Sequence, residues 1–343
     1  MIVLQLFWLF VIVACLTFFF VFVNKTKSMF STWRPFPVFA AVTILLNLCL
    51  YALVPVYSNN AWQNPKLVKC TETSSRNILA LSFSDSFLYA SLYFHDSVPA
   101  RTHIFEYKEH DTVPAIDIND AAQNEFRYGN SSLQANEYTV GLAVIDNYIF
   151  AADDDPSTIG IYVIEKNLEA PSSHRFATLI HLPASIAVSA KYMYTSGTNY
   201  NHISQIKRPL NHSISEVAEN EEREIFSFGA GGLNTFTNPR GLLFHDNVLY
   251  VCDNNRVLAF MESTAGHLIL LKVFEPIHEP ISLAVYKNTL AVTTRYYIFF
   301  YNLHTTIYLG SITQLGSFLI TASRNYLYVA DHSKICAYTQ NNE

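Results

Sequence analysis

Charge is scarce in this 343-residue chain: Asp, Glu, Lys and Arg make up only 15% of it, against about 25% in an ordinary soluble domain. No acid precedes Glu72, and no basic run occurs anywhere. Only Lys25, Lys27 and Arg34 of the 22 bases lie before Lys66, which leaves 19 against all 28 acids in the rest of the chain. A surface of net charge near −9 excludes nucleic-acid binding by phosphate neutralisation, which needs a cationic face. Glycine is sparse too, at 11 residues, while Phe and Tyr number 25 and 21. That balance argues against disorder and for β structure. Catalytic signatures are missing as well. The 12 His contain no HxxxH or HxH pair, and neither G-x-S-x-G nor H-E-x-x-H occurs.

The apolar excess is concentrated at the start. Residues 2–23 and 37–57 are apolar runs of 22 and 21 residues, each long enough to cross about 30 Å of hydrocarbon as a helix. Together they predict a transmembrane hairpin over residues 1–58, with Asn47 the main polar interruption of the second run. A cleaved signal peptide followed by one span is the rival. Signals, however, open on a basic segment and have a shorter apolar core, whereas no base here precedes Lys25. Lys25, Lys27 and Arg34 in the connecting loop hold that loop in the cytoplasm. The rest of the chain is then expected in a lumen or outside the cell, although Lys66 and Lys69 weaken the asymmetry. Asn130-Ser131-Ser132 and Asn211-His212-Ser213 are sequons that fit N-glycosylation on that side.

After a short linker at 59–65, self-similarity is the strongest signal. Six segments share an apolar strand, a tight polar turn and a second strand. First strands carry Leu81, Leu142, Ile186, Leu242, Leu283 and Ile320; second strands carry Tyr89, Phe150, Tyr194, Tyr250, Ala291 and Tyr328. The offset is eight in all six pairs, as repeated hairpins require. The expectation is an all-β, six-bladed β-propeller over 66–343, built from four-stranded blades. Outer strands are predicted near 112–118, 174–182, 223–228, 267–274 and 305–312. The sixth repeat has no room for one before Glu343, so a strand at about Lys66 to Thr73 is expected to complete it and remove an exposed edge.

The best-preserved copy runs Pro239-Arg240-Gly241-Leu242-Leu243-Phe244 into Leu249-Tyr250-Val251-Cys252-Asp253-Asn254-Asn255-Arg256-Val257, and Leu327-Tyr328-Val329-Ala330-Asp331 repeats its second half. This resembles the NHL repeat of six-bladed propellers over 66–343. The resemblance implies the fold and, for most members, a binding role rather than a reaction.

Cys70 and Cys336 fall on neighbouring strands of the last blade. If they face each other, an oxidising compartment lets them form a disulfide. Cys15 and Cys49 lie in the apolar runs, and Cys252 reads as a packed thiol.

Loops joining second to third strands, and blade to blade, share the face that usually carries ligands. That face is expected to hold 91–101, 153–158, 197–202, 253–256, 295–296 and 331–333, with 119–137, 229–239 and 275–280 between blades. Candidates on it are His95, Asp96, Asp153, Asp154, Asp155, His202, Asp253, Asn254, Arg295, Asp331 and His332. Three acids at Asp153–Asp155 offer oxygen ligands of the kind Ca²⁺ takes. Pro156 follows at once, however, and the cluster reads as a solvated turn. Zinc would need His95, His202, His278 and His332 to converge, which spacing cannot establish. Asp253 and Asp331 hold equivalent positions, which argues for a shared structural duty. Gly229-Ala230-Gly231-Gly232 lacks the Lys-Ser/Thr of a phosphate loop and reads as a bend.

No cofactor is therefore expected. The function that follows is a membrane-anchored module binding a protein or glycan. The alternative is a metal-dependent hydrolase resembling six-bladed lactonases and arylesterases, which hold Ca²⁺ in the central tunnel with an acidic residue. The inner strands here contain no acid at matching positions.

Overall fold

A computed structural model describes residues 65–72, 76–94, 101–109, 124–126, 139–154, 159–166, 173–178, 182–197, 201–208, 225–228, 236–314, 316, 319–331 and 333–340. All of them belong to the second of two compact units, Asn59–Glu343. Among the described residues no helix is long and apolar enough to cross a membrane. The runs at 2–23 and 37–57 lie outside the described residues.

Among those residues, six antiparallel sheets of four strands account for all the regular structure. Blade 1 is β2 (Arg76–Ser84), β3 (Phe87–Phe94), β4 (Arg101–Lys108) and β5 (Asn124–Phe126). Blade 2 is β6 (Thr139–Ile145), β7 (Tyr148–Asp153), β8 (Gly160–Glu165) and β9 (Ser173–Thr178). Blade 3 comprises β10 (Pro183–Val188), β11 (Tyr192–Gly197), β12 (Ile203–Lys207) and β13 (Ile225–Phe228). In blade 4 these places are taken by β14 (Pro239–His245), β15 (Val248–Asp253), β16 (Arg256–Glu262) and β17 (Leu268–Phe274). Blade 5 has β18 (Ser282–Tyr286), β19 (Thr289–Thr293), β20 (Tyr297–Asn302) and β21 (Tyr308–Thr313). Blade 6 joins β22 (Leu319–Ala322), β23 (Leu327–Ala330) and β24 (Lys334–Thr339) to β1 (Lys66–Glu72), which lies beyond β24 at the outer edge.

One hairpin register recurs in all blades. Leu81 faces Ala90, Leu142 faces Ala151, Ile186 faces Thr195, Leu242 faces Val251, Leu283 faces Val292 and Ile320 faces Val329. Two residues turn each chain, and Asp85, Asp146, Asp246, Asn247 and Lys287 do so with φ between 48° and 61°. Asp and Asn reach that left-handed region more easily than other side chains, so these turns form without glycine.

The ring closes on itself. Each innermost strand touches the innermost strands before and after it, in the cycle β2, β6, β10, β14, β18, β22 and back to β2. Six apolar clusters fill the six gaps between neighbouring blades. One of them packs Ile78, Leu88 and Leu92 of blade 1 against Tyr328, Ala330 and Ile335 of blade 6. The architecture is a six-bladed β-propeller.

Close approach at the centre demands small side chains. A Cβ on Gly141 would come within 2.9 Å of Ile186 N, and one on Gly241 would run into Ile281 O. Side chains sew adjacent blades at the same level, with Leu242 N donating to Ser185 Oγ (3.2 Å) and Ser91 Oγ to Thr139 O (3.3 Å).

Two expectations need correction. The strand paired outside β4 in blade 1 is Asn124–Phe126, inside the stretch read as the loop 119–137, while residues 112–118, read as that strand, lie outside the described residues. Three residues without an apolar run leave no pattern to find. Ser91, expected to open a ligand-face loop, is a buried strand residue opposite Ile104. The long β3–β4 hairpin extends past it to Phe94.

Candidate ligand face

The two ends of a blade are held by different chemistry. At the turn end, the residue that ends or follows the third strand meets the second-strand aromatic of the preceding blade. Tyr328 Oη donates to Glu109 Oε1 at 2.6 Å, and Tyr194 Oη to Glu262 Oε2 at 2.6 Å. Lys166 Nζ donates to Tyr89 Oη (3.3 Å) and stands 5.4 Å from its ring centroid, while the same hydroxyl donates to Glu106 Oε2 (2.6 Å). Where the aromatic is Phe150, with no hydroxyl, the guanidinium of Arg208 sits over the ring at 5.6 Å. Where it is Tyr250, Leu303 shares its apolar cluster. Burial first, then the neighbouring carboxylate, pushes the hydroxyls of Tyr89, Tyr194 and Tyr328 far above the ordinary phenol range.

At the loop end, carboxylates hold their own loops. Asp253 is fully buried at the end of β15. Its Oδ1 accepts from Thr237 N (2.7 Å) and Asn238 N (2.8 Å), and its Oδ2 from Arg256 Nη2 (3.1 Å). It thereby fastens the lead-in of its own blade to its β15–β16 turn. The carbonyls of that turn, Asn254 O and Asn255 O, accept from Glu279 N and Ile277 N in the loop leading to blade 5. Asp331 holds the equivalent place in blade 6 but accepts from Ser333 N (2.7 Å) and Lys334 N (2.8 Å) of the turn that follows it. In blade 5 the same place is taken by Thr294, whose Oγ1 accepts from Tyr297 N at 3.1 Å.

The sequence candidates divide accordingly. Asp153 ends β7 fully buried opposite Thr139, with Asp154 half-buried after it. Asn254 is exposed in its turn at φ 50°. Arg295 is exposed with its guanidinium 5.5 Å from the Tyr296 ring, and Tyr296 and Tyr297 are exposed beside it. Two candidates border Gly316: Arg295 O accepts from Gly316 N (3.3 Å), and a Cβ on Gly316 would lie 3.9 Å from Asp331 Cβ. His202 is half-buried on blade 3, and burial lowers its pKa. His95, Asp96, Asp155 and His332 lie outside the described residues, as do Asn130 and Asn211. Among the described residues no group of three or more His, Cys, Asp or Glu could hold a metal.

Cys70 and Cys336 stand directly opposite in the β1–β24 register, bridged at an S–S distance of 2.04 Å. Cys252 is a buried free thiol whose pKa burial raises.

Sequence reading missed the turn-end ties. Their signal was available, since a charged residue recurs where the third strand ends, at Glu109, Lys166, Arg208 and Glu262. Its partner belongs to the preceding blade, which only the ring reveals.

No family model matches the chain, and no curated protein matches it. Among solved structures it is similar to virginiamycin B lyase from Staphylococcus aureus, at 15% identity and TM-score 0.49, covering 80% of this chain and 99% of that one. It is also similar to the WD40 β-propeller domain of Doa1, at 12% identity and TM-score 0.49, covering 82% and 98%. A chain of a nidogen/laminin complex matches at 15% identity and TM-score 0.48, covering 66% and 81%. The propeller assignment itself stands on the closed ring.

Proposed function

We propose that this chain is a membrane-anchored binding module of the NHL-like kind. Its propeller is held at a lumenal or extracellular membrane surface by the hairpin at 1–58, and its loop face takes a protein or glycan. The observation that carries the reading is the employment of the loop-end acids. Asp253 and Asp331 are occupied by amides of their own loops, so they serve as girders for a surface rather than as acid–base groups. Exposed Arg295, Tyr296 and Tyr297 on that surface are residue types that favour recognition.

The test uses the full chain in intact cell membranes and, for metal content, the chain purified from them. Photo-cross-linking from position 295 on intact membranes should capture one defined protein or glycan, and Tyr296→Ala with Tyr297→Ala should abolish capture without lowering the melting temperature. Metal analysis of the same preparation decides against the reading if it finds stoichiometric Ca²⁺ or Zn²⁺, because a hydrolase would then be the better account.

A further inference from the structure

Outer strands close their sheets, and what holds each of them differs. β17 leaves Ile269 and Leu271 exposed along its edge, yet Leu268, Leu270 and Phe274 pack into the clusters on the two sides of blade 4. β21 is anchored in the same way through Leu309 and Ile312. β1 has no such anchor. No residue of β1 belongs to any of the six apolar clusters, and its single buried residue is Thr71. Its ladder with β24 is interrupted by a bulge between Leu67 and Lys69. A strand that buries so little apolar surface gains little from the hydrophobic effect, and backbone hydrogen bonds made in exchange for water contribute modestly. The covalent bond from Cys70 to Cys336 is its strongest fastening.

That bond is also lopsided. Cys70 is exposed on the outermost strand, whereas Cys336 is 1% exposed within the cluster between blades 5 and 6. A reagent in solution therefore meets the bridge from the Cys70 side, at the rim of the ring.

We propose that the Cys70–Cys336 bridge is a reducible latch, and that a dithiol reductant arriving at the rim opens blade 6 by releasing β1. One thiolate of the reductant bonds to Cys70 Sγ as the bond to Cys336 Sγ breaks, and Cys336 leaves as a thiolate that takes up a proton. The second thiol of the reductant then gives up its proton, and its sulfur bonds to the first as the Cys70 thiolate is freed and protonated. Two electrons and two protons pass to the protein, and the reductant ends as a disulfide. Without its fastening β1 departs, which bares the outer edge of β24. The other five blades keep their sheets, because each is built from strands consecutive in the chain. Opening is thus local, and it reverses when β1 docks again in an oxidising medium.

The experiment treats the full chain, folded in its native membranes, with dithiothreitol, then traps thiols with N-ethylmaleimide for mass spectrometry. Cys70 and Cys336 should both carry the label while buried Cys252 does not. Amides of Lys66–Glu72 should exchange roughly tenfold faster than in unreduced protein, with Leu268–Phe274 unchanged. Oxidised glutathione should restore both the bridge and the protection. Cys70→Ser with Cys336→Ser should show the fast exchange with no reductant present. A bridge that resists dithiothreitol until urea unfolds the propeller would overturn the latch. So would Lys66–Glu72 that keeps its protection in the reduced protein or in the double variant.

Discussion

At their turn ends the six blades are nearly interchangeable, whereas at the described loop ends of blades 4, 5 and 6 the same place is filled in three different ways. The turn end repeats one register, two-residue turns and a tie to the preceding blade, with only the chemistry of the tie varied. Tyr194 gives its hydroxyl to Glu262, and Phe150, lacking one, receives the Arg208 cation over its ring. At the loop end, Asp253, Thr294 and Asp331 occupy equivalent places with different partners. The difference separates what builds the ring from what individualises it, and recognition is expected where repetition stops.

The sharpest way to break the comparison is to open the ring where its ends meet. Cys70→Ser with Cys336→Ser removes a link spanning 266 residues, and loop-closure entropy sets the loss at up to about 5 kcal/mol. Urea unfolding should show it as a lower midpoint with a steeper slope, because the unlinked unfolded chain exposes more surface. Next in size is Asp253→Ala, which leaves the Thr237 and Asn238 amides and Arg256 without their acceptor. A loss of about 3 kcal/mol is expected, and it would show that one loop end also carries ring-building load.

Tyr328→Phe should cost about 1.5–3 kcal/mol, the worth of a hydrogen bond to a charged group, measured by the same unfolding. The pH dependence has a definite sign. The Tyr328 hydroxyl titrates above its ordinary value of 10.0, so its contribution is complete below pH 10 and declines as pH rises through the folded value. Native protein should therefore lose stability above pH 10 more steeply than Tyr328→Phe. The smallest effect belongs to the loop face. Arg295→Ala, at an exposed position, should shift stability by less than ~0.5 kcal/mol while weakening capture of the partner.

Much of the ring could be read from spacing, because a two-residue turn fixes register and register fixes the offset of eight between Leu242 and Tyr250 or Ile320 and Tyr328. The outer strand Asn124–Phe126 could not, since three residues on an edge bury too little to impose alternation. Site residues were harder for a different reason. Asp253 and Asp331 share a position in the repeat, and that position announces their structural duty. Arg295 and Asp331 both border Gly316, at a junction of two blades that no linear spacing encodes. The exposed edge of β17 was hidden by its composition, which reads equally well as a buried strand.

The account depends on β1 completing blade 6, because that pairing shuts the ring. Amide hydrogen exchange on the full chain in membranes tests it directly. Lys66–Glu72 and Lys334–Thr339 should be protected together and lose protection together as denaturant is added. If amides of Lys66–Glu72 exchanged at the unprotected rate while Lys334–Thr339 stayed protected, the closed ring and everything placed on its rim would be contradicted.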